Sequence, residues 1–271
     1  MEQILLEAVR AVDANALKEA VANNICIPVD FRTALPDSRF YEGVNVSPGH
    51  IVAGLAISRP REVDNILEKL AEFRAVALTG PSGCGKSGLQ WLVSFEARHR
   101  IRWYRLTSAA NPQHLSSVIN FIAGVQPRLE APIGIVIDDI GSVAFNCGVL
   151  SPPSLRIGQD SMFLGSVRNE DRELIAGSPD HCEIPVSFDP EVAEHIWQRL
   201  RDQGKTELGH WLEAYEDAQG LLLEFTHILT RGERMAKVIS AQVARRREEK
   251  REAELAILRV CSIAGKFGAA I

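Results

Sequence analysis

A stretch of eight residues at 80–87, GPSGCGKS, has the residue types and the spacing that phosphate binding requires. Its three glycines let the backbone turn tightly and bring N–H groups within reach of phosphate oxygens. A helix that begins near Lys86 adds the positive end of its dipole at the same place. Lys86 would then reach the β- and γ-phosphates of a nucleotide, and Ser87 would bind Mg²⁺. The predicted nucleotide contacts are Gly80, Pro81, Ser82, Gly83, Cys84, Gly85, Lys86 and Ser87.

The same stretch matches the pattern G-x-x-x-x-G-K-[ST] of a P-loop, and its neighbours provide the context that a P-loop needs. AVALT at 75–79 reads as a short apolar strand, and a helix is predicted from Lys86 to about Arg98. At average residue frequencies, a chain of this length shows the pattern by chance roughly once in a hundred. No guanine-reading NKxD motif is evident, so we interpret the stretch as a site for ATP or ADP.

Two adjacent acids, Asp138 and Asp139, follow the apolar run at the start of IGIVIDDI, 133–140. Ligands collect at the C-terminal ends of the strands of a parallel sheet. We therefore predict that Asp138 holds Mg²⁺ through water, opposite Ser87, and that Asp139 is the general base. Such a base contributes on the order of 10²–10⁴ in rate. Two solvated turn acids are the alternative, which the neighbouring P-loop disfavours.

A third polar group follows SMFLGSV at 161–167, which reads as another strand. Ser166, Arg168 and Asn169 come at its C-terminal end. Arginine can bridge two phosphate oxygens, so Arg168 suits a catalytic role as a sensor of the γ-phosphate. A surface turn explains the same residues without any function, and the sequence leaves both interpretations open.

Strands and helices alternate through the middle of the chain, which predicts a parallel sheet with right-handed crossovers. The predicted strands are 75–79, 101–106, 133–140, 161–167 and 181–188, and the predicted helices are 61–73, 86–98 and 111–124. After Asp189 only helices are predicted. The expected fold is therefore an α/β P-loop NTPase sheet of about five strands flanked by helices, followed by an all-helical lid.

This pattern predicts three parts of the chain. Residues 1–54 form an N-terminal helical segment, with helices near 3–22, and an irregular connector. Residues 55–188 form the α/β domain, and residues 189–271 form the helical lid. The chain ends in KFGAAI without a helix stop, so the lid is expected to continue in a longer protein.

Composition narrows the class of protein further. The chain has 271 residues, of which 46% are hydrophobic and 24% are charged, with a net charge of −5. A binder of nucleic acid is usually basic, so nucleic acid is not an expected partner. Five cysteines without a CxxC pair, together with no signal peptide, predict a cytoplasmic protein. No apolar run approaches the length of a membrane span.

The basic stretch ARRREEKREAE at 244–254 has charges of both signs at helical spacing. Arg245 is predicted to pair with Glu249, and Lys250 with Glu254, as i,i+4 neighbours on one helix. A solvated helix explains this pattern better than a nucleic-acid surface does. The scattered histidines lack the spacing of a metal site, so no metal other than Mg²⁺ is expected.

Taken together, strand–GPSGCGKS–helix, IVIDD, a strand ending in SVR and a helical domain resemble the STAND branch of the AAA+-like P-loop ATPases. ISRPREVDNILEKL resembles the entry motif of that family, in which Arg59 is the matching residue. GLLLEF, 220–225, stands where the family has Gly-Leu-Pro: Gly220 and Leu221 match, and Leu222 replaces the proline. Over about 57–250 the sequence resembles bacterial STAND-type ATPases of antiphage defence more closely, in ISRP, LTGPSGCGKS, RWYRL, SVRNEDRE and GLLLEFTHILTRGERM.

That resemblance implies a nucleotide-controlled switch. ADP would hold a closed form, and a trigger recognised by a sensor region would permit exchange for ATP. The ATP form would assemble into a homo-oligomer and activate an effector region. The resemblance also implies nucleotide contacts by Arg59 and Gly220. An AAA+ motor that remodels protein or DNA, and a scaffold that binds nucleotide without hydrolysing it, stay open as alternatives.

Overall fold

The computed structural model describes residues 26–106, 132–141, 161–175 and 181–266. The helices predicted at 3–22 and 111–124 lie outside the described residues. In the described part of the chain, no helix combines the length and the apolar character that a membrane crossing needs.

The described residues contain six strands, which are β1 (Cys26–Pro28), β2 (Ala75–Gly80), β3 (Arg102–Leu106), β4 (Ile133–Ile137), β5 (Ser161–Arg168) and β6 (Cys182–Pro185). They form one sheet with the order β1-β3-β4-β5-β2-β6. β2 to β6 pair in parallel, and β1 pairs antiparallel with β3. The prediction of an α/β fold with a mostly parallel sheet is confirmed. β4 is buried at every position, as a strand covered on both faces should be.

The sheet has one strand more than the sequence predicted. β1 lies in the stretch that was interpreted as an irregular connector, and it pairs Cys26 with Leu106 and Pro28 with Tyr104. A strand of three residues is too short to show a period of two, and its last residue is a proline. Proline lacks the N–H that a central strand needs, but it is tolerated at an edge, where β1 lies.

Eight α-helices are found among the described residues. They are α1 (Pro48–Val52), α2 (Pro60–Phe73), α3 (Lys86–Glu96), α4 (Pro190–Asp202), α5 (Leu212–Asp217), α6 (Leu222–Arg231), α7 (Met235–Glu248) and α8 (Glu252–Lys266). α2 begins with a proline at its first turn, which fixes φ where no N–H partner is needed. Its apolar face buries Val63, Ile66 and Leu70.

The chain divides into two compact units. The first unit contains the sheet together with α1, α2 and α3. The second contains the chain from Ser187 onward, and it also includes Ser38–Asn45 and Ser82–Gly85. The domain boundaries predicted after residues 54 and 188 stay predictions.

Within the second unit, α4 begins at the N-cap Asp189, whose carboxylate accepts a hydrogen bond of 2.9 Å from the N–H of Val192. Phe188, Tyr215 and Phe225 form an aromatic cluster with ring centroids 5.2 to 6.3 Å apart. The Tyr215 hydroxyl donates to the carbonyl of Phe188 at 3.1 Å. Burial is the main cause that raises the pKa of this hydroxyl, and the charge of Asp189 adds to it.

Residues 38–45, part of the predicted connector, pack on α4 and α6 in this second unit. A short 3-10 helix at Phe40–Glu42 packs on α6, and Glu42 forms an ion pair of 2.6 Å with Arg231. Arg199 donates to the hydroxyl of Tyr41 at 3.3 Å. Burial raises the pKa of the Tyr41 hydroxyl, and the positive charge of Arg199 opposes that rise. These partners are distant in sequence, so the local pattern of residues 38–45 could not predict them.

The basic stretch at 244–254 forms two helices rather than the continuous helix that was predicted. Lys250 has φ +56°, a left-handed conformation, and it separates α7 from α8. Arg245 pairs with Glu249 at 2.8 Å, which confirms that i,i+4 pair. The predicted pair of Lys250 with Glu254 is wrong, because the helical spacing is interrupted between them. Glu254 instead forms an ion pair of 2.6 Å with Arg251.

Candidate functional site

The loop GPSGCGKS connects the end of β2 at Gly80 to the start of α3 at Lys86. Gly83 and Gly85 have φ values of +80° and +101°, in the region that favours glycine. Side chains in this region are strained, so the glycine spacing of the motif matches a backbone requirement. Pro81 and Ser82 are exposed, whereas the side chain of Cys84 is buried.

Lys86 is the buried cation of this loop, with only 8% of the residue exposed. Its ammonium donates to the carbonyl oxygens of Gly80, at 2.9 Å, and of Pro81, at 2.7 Å. A buried charge must be compensated, and here backbone oxygens of the loop contribute to that compensation. Oxygens of a phosphate group can replace them, because they offer the same acceptor chemistry with negative charge.

Ser87 and Asp138 lie together, although 51 positions separate them in the chain. The Ser87 hydroxyl donates to Oδ1 of Asp138 at 2.7 Å. Ser87 is in the first turn of α3, and Asp138 directly follows β4. The parallel pairing of the strands places these ends at one edge of the sheet. The pairing of Gly80 with Arg168 brings the end of β5 to the same edge.

Asp139 and Arg168 form an ion pair at this edge. Both side chains are about three-quarters buried, with 25% and 29% of their surface exposed. Asp139 has φ +54°, a left-handed conformation that aspartate and asparagine tolerate better than most residues. The structure therefore brings together the residue predicted as the general base and the residue predicted as the sensor. Asn169 begins a short 3-10 helix that follows β5.

Two buried polar residues that the sequence did not single out as contacts of the acids also belong to this edge. Ser166 of β5 hydrogen-bonds to both Asp138 and Asp139. Gln90 of α3 is fully buried, and its amide nitrogen donates to the carbonyls of Ile137, at 3.0 Å, and Leu164, at 2.6 Å. Gln90 could have been noticed in the sequence, because it is a polar residue among apolar residues of the predicted helix 86–98.

The two residues implied by the family resemblance alone lie elsewhere in the chain. Arg59 precedes α2, is buried, and forms an ion pair of 2.8 Å with Glu62. Gly220 lies two residues before α6, in the second unit, with φ +79°. Their roles as nucleotide contacts stay predictions.

Gly83 of the loop contacts Leu223, and both residues belong to the second unit. The N–H of Leu223, in the first turn of α6, donates to the carbonyl of Gly83 at 3.0 Å. A Cβ added to Gly83 would lie 3.1 Å from the Cβ of Leu223. Gly83 is therefore constrained twice, by its backbone conformation and by the side chain that packs against it.

We expect Gly83→Ala to destabilise the fold, because alanine in this conformation costs about 1–2 kcal/mol before any contact with Leu223. Gly88→Ala is the matched control, because a Cβ there meets nothing within 4 Å and the position is helical. The control should stabilise the chain by up to about 1 kcal/mol. Urea unfolding measures both changes, and equal stability of Gly83→Ala and the wild type would contradict the constraint.

The residues at this edge fit Mg²⁺ and a nucleotide. A hydroxyl and a carboxylate 2.7 Å apart are the hard oxygen donors that Mg²⁺ prefers, completed by phosphate oxygens and water. The glycine loop and its buried lysine suit the phosphates. Over the described ranges, no cluster of three or more histidine, cysteine, aspartate or glutamate residues could hold a metal ion by itself.

No protein-family model and no curated protein matches this sequence. Among solved structures, the chain is similar to PCH-2 from C. elegans, with 13% sequence identity and a TM-score of 0.39. The match covers 59% of this chain and 53% of PCH-2, about half of the length of that protein. A superposition this loose identifies neither a family nor an activity.

Proposed function

We propose that this chain binds ATP and ADP at residues 80–87 and hydrolyses ATP slowly with the help of Mg²⁺. The observation that carries the proposal is the meeting of the loop and the acid pair at one edge of the sheet. Ser87 lies 2.7 Å from Asp138, and Arg168 is paired with Asp139. The loop at 80–87, the acid pair and the end of β5 at Arg168, which were each predicted from the sequence to contact phosphate, metal or water, thus lie at the same edge of the sheet.

Binding of the phosphates falls to the loop. Backbone N–H groups of the loop, from every residue of 80–87 except Pro81, donate to phosphate oxygens, and the N-terminus of α3 adds its positive partial charge. The Lys86 ammonium exchanges the carbonyls of Gly80 and Pro81 for oxygens of the β- and γ-phosphates. Ser87 directly, and Asp138 through water, would hold Mg²⁺, and this ion would supply positive charge that neutralises the phosphates.

Asp139 serves as the general base. Its carboxylate orients a water molecule and accepts a proton from it as the water oxygen bonds to the γ-phosphorus. The bond from that phosphorus to the β–γ bridging oxygen breaks at the same time, and ADP leaves with inorganic phosphate as the second product. Arg168 donates to γ-phosphate oxygens as well as to Asp139, because a guanidinium group carries five N–H donors and only one of them is recorded on Asp139. Slow turnover is what the family resemblance implies.

We further propose that hydrolysis serves a STAND-type switch in bacterial antiphage defence. Nucleotide state would control homo-oligomerisation and activation, together with sensor and effector regions and a protein trigger. The resemblance of GPSGCGKS, IVIDD, SVR and GLLLEF to that family supports this part of the proposal. An AAA+ motor that remodels protein or DNA is the second candidate.

Bound nucleotide distinguishes the two candidates. The freshly purified chain is denatured, and any released nucleotide is identified and quantified by chromatography. We expect nearly one ADP per chain, because a closed switch retains its product, together with slow release of phosphate from added Mg-ATP. An empty site with rapid turnover of ATP would contradict the switch and support the motor.

A further inference from the structure

We propose that Ser166 is a positioning residue, whose hydroxyl holds Asp138 and Asp139 in the geometry that hydrolysis needs. The inference rests on the proposed ATPase function and adds a residue to its machinery. Ser166 lies on β5 and is 1% exposed, so its hydroxyl is shielded from water and depends on partners in the protein.

The direction of each hydrogen bond follows from the chemistry of the partners. The backbone N–H of Asp139 donates to the Ser166 hydroxyl oxygen at 2.8 Å. The only hydroxyl proton is therefore directed to Oδ1 of Asp138, which lies at 3.0 Å. Only a group that both donates and accepts can make these two bonds at once. The hydroxyl thus connects the backbone of one acid to the carboxylate of the other.

The turn that carries the acids is fixed to Ser166 through two successive N–H groups. Besides the bond from Asp139, the N–H of Ile140 donates to the backbone carbonyl of Ser166 at 2.8 Å. Between these bonds Asp139 holds φ +54°. Such conformations persist where the surroundings over-determine them, and they concentrate at functional sites. Loss of the hydroxyl removes one of these two hydrogen bonds from backbone N–H groups of the turn to Ser166.

The carboxylate of Asp138 is oriented by two hydroxyls. Its Oδ1 accepts from Ser87 at 2.7 Å and from Ser166 at 3.0 Å. When Ser87 turns its oxygen toward Mg²⁺, the bond from Ser166 keeps the carboxylate in place. The Ser166 hydroxyl therefore contacts the carboxylate of Asp138, the acid predicted to bind the metal, and the backbone N–H of Asp139, the acid predicted to act as base. Its proposed role is to position these two acids rather than to contact the substrate.

Ser161 provides a matched control on the same strand. It is 4% exposed, and its hydroxyl makes no hydrogen bond within the part of the chain that the structure describes. Ser161→Ala and Ser166→Ala thus remove the same atom from equally buried positions of β5. Ser166→Cys is a second variant, because it keeps a side chain of similar size with a much weaker hydrogen-bonding group.

The positioning role is tested first in the nucleotide-free chain by amide hydrogen exchange. We expect Ser166→Ala and Ser166→Cys to speed exchange of the Asp139 amide by about tenfold, the factor that one lost hydrogen bond represents. The Ile140 amide should stay protected, because its acceptor is the backbone carbonyl. Ser161→Ala should change neither. An Asp139 amide that exchanges at the wild-type rate in Ser166→Ala would overturn the inference.

Steady-state kinetics tests the consequence for catalysis. We expect Ser166→Ala to lower kcat about tenfold, to raise the Mg²⁺ concentration at half-maximal rate, and to leave KM for ATP nearly unchanged. A purely structural role would lower the active fraction without moving the Mg²⁺ dependence. Unchanged kcat overturns the positioning role. A wild-type chain that neither binds nor hydrolyses ATP instead overturns the proposed function, and it is recognised before any variant is compared.

Discussion

Replacing Lys86 with alanine is expected to weaken the binding of both ATP and ADP by at least about 100-fold, which corresponds to two charge-assisted hydrogen bonds. Lys86 is the buried cation of the loop, and its ammonium already lies against oxygens, at 2.7 and 2.9 Å. Alanine leaves the phosphate charge without this partner. Calorimetric titration of each variant with ADP and with Mg-ATP measures the loss.

Lys69→Ala is the matched control for Lys86→Ala. Lys69 lies on α2 and forms an ion pair of 2.7 Å with Glu72. Removing it deletes the same charge without touching the loop, so nucleotide binding should be unchanged. Thermal unfolding confirms that both variants are folded. Affinity for ATP equal to that of the wild type in a folded Lys86→Ala variant would refute the assignment of the loop.

Asp139→Asn is expected to retain Mg-ATP binding and to slow hydrolysis at least about 100-fold, the lower end of what a general base contributes. Asparagine is chosen because the position has φ +54°, which asparagine tolerates and alanine does not. Asparagine also keeps a hydrogen-bond acceptor for Arg168, but its amide cannot take a proton from water. Phosphate release under single-turnover conditions measures the step.

Asp64→Asn is the control for this second variant. Asp64 is an exposed acid on α2, so the change removes the same charge away from the acid pair. Its rate should equal that of the wild type. Asp139→Ala should be slowed as much as Asp139→Asn, with lower stability because of the left-handed backbone. Turnover at the wild-type rate in Asp139→Asn would mean that Asp139 is not the base.

Local patterns predicted the parts of the fold that depend on local chemistry. The glycine spacing at 80–87 reports a backbone that must turn, and the positive φ values of Gly83 and Gly85 agree with it. The alternation of apolar strands and amphipathic helices predicted the parallel sheet. The meeting of Ser87 with Asp138 followed from one rule, that the C-terminal ends of parallel strands share an edge.

Contacts that depend on register or on distant partners could not be predicted in the same way. Ile137 pairs with Gly165 across β4 and β5, which places the next residues, Asp138 and Ser166, beside each other. No local pattern states that register. Tyr41 similarly finds its partner Arg199 158 positions away. The break at Lys250 contains neither glycine nor proline, so no local helix-breaking signal could predict it.

Nucleotide binding is measured most directly by a calorimetric titration of the wild-type chain, stripped of nucleotide, with ADP and with Mg-ATP. We expect one nucleotide per chain, with a dissociation constant in the micromolar range or tighter, about −8 kcal/mol or more favourable. Removing Mg²⁺ with a chelator should weaken the binding of ATP. A folded chain that binds neither nucleotide at millimolar concentration would contradict the account.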